Sequence, residues 1–169
     1  MKGHNRPIRV YGDPVLTEKT KPVTKITEEV TQLIADMKET MLAQQGLGLS
    51  ANQIGVPLSV IVVNPRGAGI DSEPYAVINP ELVKAEGLIE REEGCLSIPG
   101  LSEVLARPVK VIVKGLNEEG KPIEIKAEGL LARVFCHEID HLNGIFFVNR
   151  LGKTRFALVK PHLDRLKKD

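Results

Sequence analysis

Apolar residues recur at helical spacing in two well-bounded stretches. In the first, Val30, Leu33, Ile34, Met37, Met41 and Leu42 form the repeat of an amphipathic helix. Thr27 precedes it as an N-cap, and Glu28 and Glu29 occupy the first turn, where the positive helix end favours acids. The run stops at Gln44 and Gln45, with Gly46 as the expected left-handed cap. The second stretch covers residues 130–142 and is stopped by Asn143-Gly144. Between the two helices the pattern shortens to runs and alternations typical of strands. Residues 58–63, 75–83 and 88–92 read as strands, and 109–116 with 122–127 as a hairpin turned at Asn117-Glu118-Glu119-Gly120-Lys121. Residues 64–74, with two Gly and two Pro, read as an exposed loop. A third, weaker helix is expected in the tail, interrupted at Pro161. The fold class that follows is α+β, with short antiparallel strands and hairpins packed around the second, central helix.

The 169 residues, 42% hydrophobic and 27% charged, suffice for one buried core. No repeat, low-complexity tract or linker divides them, so residues 1–169 are expected to form a single domain. No apolar run approaches the ~20 residues of a membrane span. Residues 1–7 lack the apolar stretch of a secretory signal, and the expectation is a cytoplasmic protein without a membrane partner. Two cysteines, Cys95 and Cys136, are too few for a disulfide framework and read as free thiols or metal ligands. A net charge of +1 gives no argument for DNA, but it is unevenly spread. Residues 150–169 carry seven Lys and Arg against Asp164 and Asp169, a +5 tail on a −4 body.

Chemistry concentrates in three places. His137-Glu138-Ile139-Asp140-His141 puts two imidazoles on one face of the central helix, able to grip one metal ion. The adjacent Glu138 is then placed to act as general base on water. Leu130, Val134, His137 and His141 share one stripe; Leu131, Phe135, Glu138 and Leu142 share the next. Glu138 thus sits in an apolar row, where burial should raise its pKa. Two histidines leave a catalytic site one ligand short. Downstream, the candidates are His162, Asp164 and Asp169, of which His162 reads as a surface histidine. Upstream stands Cys95, either a metal-bound thiolate or a buried structural thiol. Cys136 directly precedes His137 and points ~100° away around the helix, as a packing thiol. Asp140 reads as a structural carboxylate paired with an arginine, for which Arg107 is a candidate. After the first helix, Gly48 with the small Ser50 and Ala51 allows an extended substrate to approach. Gln53 offers an amide donor for a developing oxyanion.

In this order, Gly46-Leu47-Gly48-Leu49-Ser50-Ala51-Asn52-Gln53, Glu93-Gly94-Cys95-Leu96-Ser97 and His137-Glu138-Ile139-Asp140-His141 resemble the peptide deformylase family. The family pattern is Gly-x-Gly-Leu-Ala-Ala-x-Gln, Glu-Gly-Cys-Leu-Ser and His-Glu-x-x-Asp-His, and the likeness runs from Val10 to Gly144. The resemblance implies a catalytic domain that removes the formyl group from N-formylmethionine on new polypeptides, releasing formate. It implies that Cys95, His137 and His141 hold one divalent ion, Fe(II) in the family, replaceable by zinc, nickel or cobalt. A hydroxide generated on that ion would attack the formyl carbon, with Glu138 as base and then acid. Gln53 and the Leu96 N–H would stabilise the tetrahedral intermediate. Leu47 and Gly94, with Gly48 beside them, would take the peptide backbone, and Leu130, Val134 and His137 the methionine side chain. Two positions depart from the pattern: Ser50 replaces the first alanine of its motif, and Cys136 stands where glutamine is common. The alternatives are a His-Glu-x-x-His metalloprotease with a downstream third ligand, and a non-catalytic binder of formylmethionyl N-termini. The expected partners are nascent chains, and ribosomal RNA near the exit tunnel for the basic tail.

Overall fold

The first helix, α1, spans Glu28–Ala43 in the computed structural model, which describes residues 1–168. Thr27 Oγ1 accepts the Val30 N–H at 3.3 Å, as its N-cap position requires. The expected stripe is buried up to Met41, whereas Leu42 is 48% exposed. Asp36 and Thr40 interrupt the buried face and clamp the N-terminal segment. The His4 N–H donates to Asp36 and the Arg6 N–H to Thr40 Oγ1, while the Arg6 guanidinium pairs with Asp36 at 3.2 Å. The left-handed cap after α1 is Gln45 (φ 55°), not Gly46. Gly46 answers a different demand, because a Cβ there would meet Leu96 Cδ1 at 3.2 Å.

Seven strands follow. β1 (Gly48–Ser50), β2 (Val60–Val63), β3 (Tyr75–Glu86), β6 (Lys110–Leu116) and β7 (Pro122–Glu128) form one antiparallel sheet in the order β1-β2-β3-β6-β7. β4 (Ile89–Cys95) and β5 (Ile98–Arg107) form a separate two-stranded sheet. β1 and β5 are not legible as strands in the sequence. β1 is three residues long, too short to show a period, and β5 opens with Pro99 and Gly100 just after Ile98. The 64–74 loop contains one 3-10 turn, Pro65–Ala68.

The central helix, α2, spans Gly129–Leu142 and is buried at every position except Gly129, Leu130 and Ile139. Its apolar side packs on β1, β2, β6 and β7 in a core that includes Ile61, Val63, Val113 and Phe135. A second core lies between α1 and the sheet, and a third gathers Leu16, Ile98, Phe146 and Phe147 with two residues of the C-terminal helix.

Those two residues, Val159 and Leu163, belong to α3 (Lys153–Lys168), which runs unbroken through Pro161. The expected interruption does not occur because the defect faces water. Pro161 and Ala157, whose carbonyl loses its partner four residues on, are both exposed. The basic tail is therefore an integral helix of the fold. Of the downstream ligand candidates, Asp169 lies outside the described residues.

Candidate active site

Three elements converge on one point. α2 carries His137 and His141 one turn apart, with their Nε2 atoms 3.1 Å from each other. The β4–β5 turn delivers Cys95, whose Sγ lies 3.1 Å from His141 Nε2. The ligand atoms of Cys95, His137 and His141 all fall within 4.8 Å of one another. Donors bound at ~2.0–2.3 Å around a tetrahedral ion stand roughly 3.3–3.7 Å apart, so the two pairs at 3.1 Å are close to the spacing an ion needs. One thiolate and two imidazoles are a three-ligand set that leaves a fourth position open. The three side chains form a site able to hold one metal ion.

The third element is β1 with the 3-10 turn Ala51–Ile54 behind it. It presents Gln53, whose Nε2 donates to Ser97 Oγ at 3.0 Å and lies 3.7 Å from Cys95 Sγ. The extended N-terminal segment laces the two turns together: the Arg9 N–H donates to the Gln53 carbonyl and the Tyr11 N–H to the Ser97 carbonyl. Asn52 ties the same turn to the catalytic helix, its amide donating to the His141 carbonyl at 2.7 Å.

Glu138 is 4% exposed, and its Oε1 has no hydrogen-bond partner among the described residues. Burial pushes its carboxyl up to about 7, against the pull of His137. A buried, unpaired carboxylate oxygen is costly, and a water held between Glu138 and an ion would satisfy it. His141 Nδ1 is likewise buried without a partner among the described residues. Gly48 leaves the space that Glu138 fills: a Cβ there would stand 2.8 Å from Glu138 Cγ, Glu138 Oε2 and Val134 Cγ1.

Behind the ligands lies a buried ionic cluster that the sequence reveals only in part. Glu93 Oε2 sits 2.8 Å from His137 Nδ1. The same carboxylate takes Arg107 at 2.7 and 3.1 Å and Arg133 at 3.0 Å. Burial alone would raise the Glu93 pKa, but hydrogen bonds from His137 and Arg107 bring it down to about 2. Asp140 pairs with Arg107, the expected partner, at 2.7 Å, and with Arg150 through two bonds of 2.7 Å. Glu93, Arg133 and Arg150 escape the sequence reading. Glu93 opens the Glu93-Gly94-Cys95-Leu96-Ser97 motif, and that place beside Cys95 is the available signal for the first of them.

A cavity of about 340 Å³ opens in front of this centre. Leu47, Gly48, Gly94, Leu96, Leu130 and Val134 all line it, beside Gln53, Cys95, His137 and Glu138. Among the described residues β1 pairs only with β2 and β4 only with β5, so each has a free edge, and Gly48 of β1 and Gly94 of β4 line the cavity. The two described downstream candidates stay away: His162 Nε2 lies 2.8 Å from the Pro99 carbonyl and Asp164 pairs with Lys160. Cys136 is 6% exposed within the core around α2, and burial raises its thiol pKa.

The polypeptide deformylase family model matches residues 5–157. A peptide deformylase of Halothermothrix orenii is 51% identical over 145 residues, covering 85% of this chain and 92% of that protein. One from Aquifex aeolicus is 48% identical over 159 residues, covering 92% and 94%. The solved peptide deformylase of Thermus thermophilus, 40% identical, superposes with a TM-score of 0.90 over 98% of this chain and 99% of that one. Sequence likeness over most of the chain and a shared fold agree with the metal site just described, and the chain belongs to the peptide deformylase family.

Proposed function

We propose that residues 1–169 act as one catalytic domain, and that its centre hydrolyses the formamide of N-formylmethionyl peptides with a division of labour among named residues. The observation that carries this is the meeting of three metal donors with a buried glutamate whose Oε1 has no partner among the described residues. Cys95, His137 and His141 would hold the ion. Fe(II) is the proposed resident, with zinc, nickel or cobalt as substitutes, because a mixed thiolate and imidazole set suits all four. When bound, the ion supplies Lewis acidity, making water nucleophilic near neutral pH and polarising the formyl carbonyl.

The chain's own groups do the rest. Glu138 takes a proton from the attacking water and passes it to the departing amine, a task suited to a carboxyl whose pKa burial pushes up to about 7. Gln53 Nε2 and the Leu96 N–H donate to the oxygen on which negative charge develops. The peptide lies as an added strand between the free edges of β1 and β4, with Leu47, Gly48 and Gly94 along its backbone. Leu130, Val134 and His137 surround the methionine side chain. Glu138→Ala tests the assignment: formate release should fall by ~10²–10⁴-fold with metal content unchanged. Retained turnover would remove Glu138 from the mechanism.

The cytoplasm is the proposed location; no helix among the described residues is long and apolar enough to cross a membrane. The proposed partner of α3 is ribosomal RNA, through exposed Lys153, Arg165 and Lys168. Deleting the tail would also remove Val159 and Leu163 from the core, so charge reversal at those three positions is the cleaner test. It should abolish salt-sensitive cosedimentation with ribosomes, and unchanged cosedimentation would refute the contact.

A further inference from the structure

Ser50 is where this chain departs from the alanine of the family pattern. It is fully buried, at 0% exposure, and it faces Gln53. Two donors from this one residue meet the Gln53 side-chain oxygen. The Ser50 backbone N–H donates to Gln53 Oε1 at 3.0 Å, and the Ser50 hydroxyl donates to the same atom at 3.1 Å. An alanine would keep the first bond and lose the second.

These bonds fix which way the amide points. With both lone-pair directions of Oε1 engaged, Nε2 must face Ser97 Oγ and Cys95 Sγ. Turning the amide over would set its NH₂ against the Ser50 N–H, donor against donor. Rotation about the last side-chain torsion is intrinsically soft, so an oxygen held twice matters more to the amide's aim than to its presence. Solvent has no access to compete for either bond. The local sequence Ser50-Ala51-Asn52-Gln53 also has the S-x-x-Q form in which a turn's first residue and its fourth satisfy each other. That pattern alone would make Ser50 a cap; the position of Nε2 at the metal donors gives the cap a second consequence.

We propose that Ser50 is a positioning residue for the deformylation step, holding the Gln53 amide with its nitrogen aimed at the developing oxyanion. The inference rests on the assignment of Gln53 as an oxyanion donor. In this chain the oxyanion donor is thereby oriented by a hydroxyl as well as by the backbone.

The test is a double-mutant cycle on the metal-loaded enzyme with a formylmethionyl peptide, reading kcat and KM separately, and the thermal midpoint of each variant. Ser50→Ala should lower kcat about two- to tenfold, the range of one net hydrogen bond, with KM little changed. Gln53→Ala should lower kcat more, and Ser50→Ala should cost nothing further in that background. A cap without this role would shift the thermal midpoint and leave kcat alone. If Gln53→Ala retains full kcat, the oxyanion assignment fails and the inference with it. If Gln53→Ala is impaired while Ser50→Ala keeps full kcat, or loses as much without Gln53 as with it, Ser50 has no positioning role and the oxyanion assignment stands.

Discussion

Glu93→Gln is the sharpest probe of what holds this metal centre together. The wild-type carboxylate is 6% exposed and receives Arg107, Arg133 and His137 together. Glutamine keeps the shape but removes the charge and replaces one acceptor oxygen with a donor. At least one cation is then left buried against an NH₂ group. Removing one member of a buried ion pair costs ~3–5 kcal/mol, because the remaining charge is uncompensated. An independent route gives a similar figure. The Glu93 pKa falls from 4.5 to about 2 on folding, and at 1.36 kcal/mol per pKa unit that is a stabilisation of about 3 kcal/mol. Because the folded-state value lies below the unfolded one, this stabilisation is complete above pH ~4.5 and is lost as pH falls toward ~2. The variant should therefore be about 3 kcal/mol less stable near neutrality, a drop of ~6–12 °C in Tm for a chain of this size. Its deficit should narrow between pH ~5 and pH ~3, since wild type loses what the variant never had. Urea unfolding followed by far-UV circular dichroism, with and without a chelator, measures both quantities. A deficit under ~1 kcal/mol, or one that does not shrink in acid, would refute the reasoning.

Other perturbations address the site directly. Gly48→Ala puts a Cβ 2.8 Å from Glu138 Cγ, Glu138 Oε2 and Val134 Cγ1; with the carboxylate displaced by up to ~1 Å, kcat should fall on the order of 10²-fold while metal content holds. Unchanged kcat would show that Glu138 does not depend on this gap. Cys95→Ser replaces a thiolate with a poorer ligand, so the purified variant should lose its ion to a chelator faster than wild type, as metal analysis after gel filtration will show. Equal retention would sink Cys95 as a ligand.

Legibility from sequence tracks how local each feature is. α2, its stop at Asn143-Gly144 and the stripe placing His137 beside His141 depend on spacing within one helix, and all are readable. The Asp140–Arg107 pair is readable as a need, because a carboxylate on a buried helix wants a cation. β1 and β5 are not readable, since three residues carry no period and a proline and a glycine stand near the start of β5. The stop of α1 near Gln44 is readable, but its left-handed cap is misassigned to Gly46, because a glycine needed for close packing against Leu96 looks the same in sequence as one needed for a positive φ. Pro161 misleads for a related reason, since a missing N–H breaks a helix only where the freed carbonyl cannot reach water.

Glu93 and Arg133 escape the sequence for one structural reason. Cys95 rides on the β4–β5 sheet, which has no strand pairing with the five-stranded sheet, whereas His137 and His141 ride on α2. Two bodies supply one coordination set, and no backbone ladder sets their distance. Side chains do so instead. Arg133 on α2 donates to the carbonyls of Ile89 and Leu105 and to Glu93, and Arg107 at the end of β5 reaches Asp140 on α2. Each bond crosses from one body to the other, and Glu93 adds the contact to His137 Nδ1 that leaves Nε2 facing His141. Arg133 has no motif in sequence and Glu93 shows no role within its motif, because their partners follow from how the two bodies dock rather than from any one element. If this bracing sets the ligand geometry, a change at Arg133 or Arg107 should loosen the Cys95 ligand before the histidine pair, because His137 and His141 are held by a single helix.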